Sequence, residues 1–173
     1  MAHFDTEVAI VGAGPVGLCL ALLLAERGVA VLLLEADAEP AEDLRASTFH
    51  PPTLDLLEPY GITAGMLEQG LICPHWQIRL HPSGDRAVFD LSVLAEDTRH
   101  PYRLQCEQWR LSRLLRARLG GTVEYLPATR LDSFEQDEHG VSGQLIDAKR
   151  HPGRRLRISY DGYRGSVSSR CRH

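Results

Sequence analysis

The chain has 173 residues, the length of one ordinary domain with room for a sizeable core. Hydrophobic residues make up 43% and charged residues 24%, a balance that excludes a disordered or collagen-like chain. A formal net charge of −4 supplies no global attraction to nucleic acid or to anionic lipid, so neither is expected as a partner. Cys19, Cys73, Cys106 and Cys171 are widely spaced and form no Cys-x-x-Cys pair, which argues against a zinc cluster or a disulfide framework. Asp5 and Glu7 stand before the first apolar run where a secretory signal would be basic, and the apolar stretch 16–25 is too short to span a bilayer. The expectation is a soluble, cytoplasmic protein with reduced thiols.

Residues 7–11 (EVAIV) form a short apolar run bounded by glycine, the pattern of a strand buried in a parallel sheet. A helix is predicted from Pro15, a favoured first helical residue, to Arg27, with Gly28 placed for a left-handed cap. A second apolar strand over 29–34 closes at Glu35, completing a β-α-β unit. Residues 36–52 read as a loop that turns helical over 53–59 and stops at Gly61. Residues 76–80 and 86–91 flank Pro82-Ser-Gly-Asp85, a turn signal that predicts a β-hairpin. A helix is predicted over 107–119 from Leu111, Leu115 and Leu119 at four-residue spacing, with Arg110, Arg113, Arg116 and Arg118 forming a solvated face. Strands are expected at 122–125, 128–134 and 141–146, a basic loop at 149–157 and a short strand at 156–160. One domain over 1–173 is expected, with residues of about 72–104 starting a substrate-side β-ribbon.

The chemistry concentrates in VGAGPVG, residues 11–17. In a β-α-β unit the first glycine of Gly-x-Gly-x-x-Gly permits the tight turn, the second lets a phosphate approach the main chain, and the third lets the helix pack on the strand. Gly12, Gly14 and Gly17 occupy those places, with Pro15 and Val16 between them. The helix start presents free amides and a partial positive charge to a pyrophosphate. Glu35, at the end of the second strand, is placed to accept hydrogen bonds from an adenosine ribose and to repel a 2′-phosphate. Ala21 and Gly28 extend the pattern in a way similar to the ADP-binding fingerprint of FAD enzymes.

Three further stretches carry a family resemblance. LRASTFHPPTLDLLEPYGI (44–62), YRLQCEQWRLSRLL (102–115) and DGYRGSV (161–167) are similar to segments of the FAD-dependent aromatic hydroxylases. These are the single-component flavoprotein monooxygenases that include p-hydroxybenzoate and phenol hydroxylases. The resemblance implies an α/β, Rossmann-like FAD/NAD(P)-binding fold with a β-ribbon insertion. It places Arg45 near the flavin and pyrophosphate, Gln105 on FAD, and Asp161 with Gly162 in a motif serving FAD and the nicotinamide cofactor. The family's later Gly-Asp motif is not in this sequence, so a truncated, N-terminal portion is expected.

The implied chemistry is reduction of FAD by NAD(P)H, reaction with O₂, and hydroxylation of a small aromatic substrate by a C4a-hydroperoxide. A non-catalytic ADP- or FAD-binding remnant and an NAD-linked dehydrogenase domain are the competing readings. No metal is expected: His50, His81, His100 and His151 each precede proline, and no histidine pair has helical metal-ligand spacing. No catalytic residue is assigned from the sequence.

Overall fold

The computed structural model describes residues 3–39, 42, 46–147 and 152–159. In chain order the elements are β1 (His3–Asp5), β2 (Val8–Val11), α1 (Pro15–Ala25), β3 (Val31–Leu34), β4 (Thr48–Phe49) and α2 (Pro51–Leu57). A 3₁₀ turn (Glu58–Tyr60), α3 (Ile62–Leu67), β5 (Leu71–Cys73), β6 (His75–Arg79), β7 (Arg86–Asp90) and a second 3₁₀ turn (Leu91–Leu94) follow. The remainder is β8 (Arg103–Gln105), α4 (Gln108–Leu119), β9 (Glu124–Leu126), β10 (Thr129–Gln136), β11 (Gly140–Asp147) and β12 (Pro152–Ser159). They group into two compact units, one from residues 1–13, 23–39 and 121–173, the other from 14–22 and 40–120. Among the described residues no helix is long and apolar enough to cross a membrane.

In the first unit β3 is the middle strand of a parallel sheet ordered β2-β3-β9, in register Val8↔Val31 on one side and Leu32↔Glu124 on the other. All four β3 residues are buried, which is why this strand reads as an unbroken apolar run. A second sheet runs β1-β12-β11-β10, antiparallel except for the β1/β12 pair. Leu32 and Leu34 of the parallel sheet pack with Leu145 and Leu156 of the other, flanked by Ala9, Leu126, Leu131 and Ile158. Each fully buried leucine in that cluster contributes roughly 2 kcal/mol of transfer free energy. β12 corrects the loop expected at 149–157. Arg155 and Arg157 are exposed, Leu156 is buried and Ile158 half-buried, so the arginines face solvent while the apolar residues turn to the core.

Helix α1 opens on Pro15 and buries Leu18, Ala21 and Leu22. The chain leaves it through Gly28, whose φ of +78° satisfies the expected left-handed stop. In the second unit Gly61, at φ +74°, ends the 3₁₀ turn as anticipated. A further helix, α3, which the sequence did not disclose, starts immediately after it. It is anchored by Ile62 and Met66, both buried, and by the buried Thr63 hydroxyl, which donates to the Leu54 carbonyl at 2.6 Å.

Helix α4 covers all but the first residue of its predicted span and buries Leu111, Leu115 and Leu119. The hairpin is β6/β7, with Trp76 opposite Phe89 and their rings stacked at 4.2 Å. β8 lies between β4 and β5, placing Gln105 opposite both Thr48 and Leu71.

Two glycines of this unit differ in what a methyl group would strike. A Cβ on Gly65 would come 2.9 Å from Cδ2, the far end of the Leu114 side chain. On Gly70 it would lie 2.8 Å from Leu104 Cδ1, 2.9 Å from the Gln105 carbonyl oxygen and 3.1 Å from Cys106 Cβ. Gly70→Ala is therefore expected to destabilise by about 1–3 kcal/mol, because backbone must move. In Gly65→Ala the gain in helix propensity, about 1 kcal/mol, offsets the side-chain shift. Urea unfolding of the two variants checks the ranking, and equal midpoints would contradict it.

Candidate functional site

The first unit holds half of the predicted loop. β2 runs into Gly12, whose φ of +104° is a conformation that strains any residue with a side chain. Its amide donates to the Leu34 carbonyl at 2.8 Å, continuing the β2/β3 ladder one step past the strand. The next amide, of buried Ala13, turns to the side chain of Glu35 and donates to Oε2 at 2.7 Å.

Glu35 is held from several directions. Its amide donates to the Leu126 carbonyl at 3.0 Å, and its carbonyl accepts from Thr129 at 2.7 Å. Oε1 accepts the Asp37 amide at 3.0 Å. Each carboxylate oxygen thus takes one main-chain donor and keeps a lone pair for a further hydroxyl. The residues directly after it, Ala36, Asp37 and Ala38, line a cavity of about 570 Å³ with Ala128, Arg130 and Ile146.

Gly14, Pro15, Val16 and Gly17 lie in the second unit, at the start of α1. The Gly14 carbonyl accepts from the Leu18 amide at 2.9 Å, the first bond of the helix, and Val16 is exposed. Gly14 has no conformational need to be glycine, because its φ is outside the left-handed region. Nor has it a packing need: a Cβ there would meet nothing within 4 Å. An open, side-chain-free approach to the main chain at a helix N-terminus fits a diphosphate, and the free lone pairs of Glu35 fit a ribose.

Gln105 sits at the end of β8 in the second unit. Its Oε1 accepts from Thr48 Oγ1 at 2.9 Å, and its Nε2 donates to Ser47 Oγ at 2.6 Å. The amide plane is fixed by this pair while the side chain stays exposed, with one Nε2 hydrogen uncommitted. Arg45 and Asp161 lie outside the described residues. The structure therefore brings Gly12 and Glu35 together through Ala13, and joins Gln105 to Ser47 and Thr48. Sequence reasoning missed these partners: Ala13 carries no motif signal, and β4 and β8 are too short to show a period.

The second unit also assembles Asp55, Glu58 and His100 within 4.8 Å of one another. Both Asp55 oxygens accept from the Thr98 hydroxyl, at 2.9 and 2.7 Å, and Oδ1 lies 2.7 Å from His100 Nδ1. Arg99 pairs with Glu58 at 3.4 Å. The Thr98 hydroxyl, and then His100, hold the Asp55 carboxyl below the usual carboxylate range. These groups satisfy one another, so the cluster serves as a polar staple between α2 and residues 98–100. Burial pushes the Cys19 and Cys106 thiols up, which keeps them protonated and poorly nucleophilic.

A parallel β-α-β unit with a glycine-rich turn and a carboxylate at the end of its second strand defines a Rossmann-like, dinucleotide-binding α/β fold. Residues 5–172 match the FAD binding domain family, and the chain belongs to that family. Over 138 residues it is 34% identical to para-nitrophenol 4-monooxygenase of Pseudomonas sp. strain WBC-3, covering 78% of this chain and 34% of that protein. It is 30% identical to pentachlorophenol 4-monooxygenase of Sphingobium chlorophenolicum over 168 residues, 94% of this chain and 31% of that one. The crystal structure of p-nitrophenol 4-monooxygenase from Pseudomonas putida DLL-E4 matches with a TM-score of 0.80 at 30% identity, covering 90% of this chain and 40% of that one. The chain spans well under half the length of these relatives.

The Asp55 network predicts a definite pH dependence. A carboxyl with a folded pKa below its unfolded value, about 3.9, stabilises fully above that value. The contribution is lost as pH falls through the folded pKa. Asp55→Asn keeps the shape and removes the charge. It is expected to lower the urea midpoint at neutral pH and to flatten the acid limb of a midpoint-versus-pH curve. An unchanged acid limb would show that the network does not stabilise the fold.

Proposed function

We propose that the chain is the FAD-binding part of a cytoplasmic monooxygenase that hydroxylates a small aromatic substrate, with NAD(P)H as reductant and O₂ as oxidant. The observation that carries the flavin reading is the Ala13 amide bonded to Glu35, next to a Gly14 that neither conformation nor packing explains. The names of the relatives, phenol monooxygenases over matching segments, support the aromatic substrate.

In this reading Gly12, Gly14, Pro15, Val16 and Gly17 form the pyrophosphate turn. Pro15, lacking an amide, leaves the donors of Val16 and Gly17 for the phosphate oxygens. Glu35 takes the adenosine ribose hydroxyls, and its charge disfavours a 2′-phosphate at this position. The adjoining cavity beside Ala36 to Ala38 has room for the adenine. Gln105, oriented by Ser47 and Thr48, offers its remaining Nε2 hydrogen to the flavin portion, and Arg45 and Asp161 carry the roles that the family resemblance implies. FAD, when bound, supplies the redox chemistry that activates dioxygen. The protein's part is to bind, orient and exclude water, so no side-chain nucleophile or metal is required.

Titration of the purified chain with FAD, followed by quenching of flavin fluorescence, tests this reading. Glu35→Gln removes charge-assisted bonds and is expected to weaken binding about ten- to hundredfold. Gly14→Val is expected to abolish it with little change in the unfolding midpoint, since a Cβ at this position meets no protein atom within 4 Å. FAD affinity unaffected by both substitutions would overturn the assignment.

A further inference from the structure

The β6/β7 hairpin of the second unit is a two-stranded sheet, and among the described residues no further strand pairs with either of its edges. Two strands alone are marginal in water, and an open edge is a template for another strand. Every residue of β7 is exposed, the apolar Val88 and Phe89 included.

The hydrogen-bond phase of the hairpin decides which β7 groups face outward. The Leu91 amide donates to the Pro74 carbonyl at 2.9 Å, and the Leu80 amide donates to the Asp85 carbonyl at 2.8 Å. By the alternation of an antiparallel ladder, Ala87 and Phe89 then bond towards β6, while Arg86, Val88 and Asp90 turn their main chain away from it. A second β7 laid antiparallel, with Val88 opposite Val88, meets that phase and overlaps the whole strand. Arg86, Val88 and Asp90 become the hydrogen-bonding positions on both sides.

The side chains are complementary in the same register. Arg86 of each copy falls opposite Asp90 of the other, and Ala87 falls opposite Phe89, a small residue facing a large one. Within one copy Arg86 stands opposite Arg79 instead, an unfavourable like-charge pair, and it has no carboxylate partner among the described residues. Asp90 is fixed at the end of the strand: its Oδ1 accepts the Ser92 amide at 2.9 Å and lies 3.5 Å from His75 Nε2.

We infer that β7 is a self-association edge, through which two copies of this chain pair antiparallel about Val88 with Arg86 and Asp90 matched at both ends. The result is a four-stranded sheet ordered β6-β7-β7-β6. So short a seam falls well below the roughly 1,600 Å² of a standard interface, so the dimer is weak. The edge belongs to the second unit alone and does not rest on the flavin assignment.

Sedimentation equilibrium of the whole chain over a range of concentrations is expected to show monomer and dimer with a Kd on the order of 10–100 μM, weakened by added salt. Val88→Pro removes an outward amide without touching the β6 ladder and is expected to abolish the dimer. Arg86→Asp relieves the clash with Arg79 but opposes two carboxylates across the seam, and is expected to weaken association about tenfold, as is Asp90→Arg. Combining the two exchanges is expected to restore it, a recovery that a role in folding alone would not produce. A chain that stays monomeric at every concentration, whether β7 is bare or covered by a strand of its own polypeptide, would overturn the inference. So would a dimer indifferent to Val88→Pro and to both charge reversals.

Discussion

One carboxylate ties the turn after β2 to the end of β3. Without the Glu35 side chain, the Ala13 amide would be a buried donor with nothing to meet, and the chain between Gly12 and α1 would lose its fixed course. Glu35 can do this because its own main chain is locked between Leu126 and Thr129, so the third strand of the parallel sheet determines where the carboxylate sits. The β2-β3-β9 order is thus part of the site, since β9 and its outgoing turn hold the residue that holds the loop. A motif defined by three glycines depends on a residue 23 positions beyond the first of them.

Much of this was legible in the sequence, and the reason is physical. β3 is buried at every position, so its composition had to be continuously apolar, and Glu35 marks the point where the chain leaves the interior. Pro15 and Gly28 punctuate α1 through constraints that any sequence must obey. β12 was misread because three arginines and a proline suggest an exposed loop, whereas the alternation around Leu156 is that of a strand with one wet face. The small sheet β4-β8-β5 was invisible for a different reason. Strands of two or three residues have no period, and their pairing is decided by contacts distant in sequence. Gln105 was singled out from resemblance alone; only the structure shows Ser47 and Thr48 fixing its amide.

Around His100 the second unit satisfies its polar groups locally. His100, nearly enclosed, meets Asp55, which in turn accepts from Thr98, and the same threonine oxygen accepts the His100 amide. Three residues of unrelated sequence context close a small circuit around the Thr98 hydroxyl and the Asp55 carboxylate. Arg110 and Arg113 flank the Trp109 ring at 4.8 and 4.9 Å. Part of the positive charge of this arginine-rich helix is thereby spread over an indole face.

The glycines themselves separate structural from ligand-directed constraint. Gly65, Gly70 and Gly143 are surrounded, each with a protein atom closer than 3.0 Å to where a Cβ would stand, so their smallness is explained inside the chain. Gly12, Gly28 and Gly61 have open surroundings but left-handed backbone, so their conformation explains them. Gly14 has open surroundings and an ordinary φ, and neither account applies. A position where a side chain would be sterically free and conformationally permitted, yet is missing, points to an approach from outside the polypeptide. At the start of a helix such an approaching group would meet the main-chain amides that helix geometry leaves without a partner.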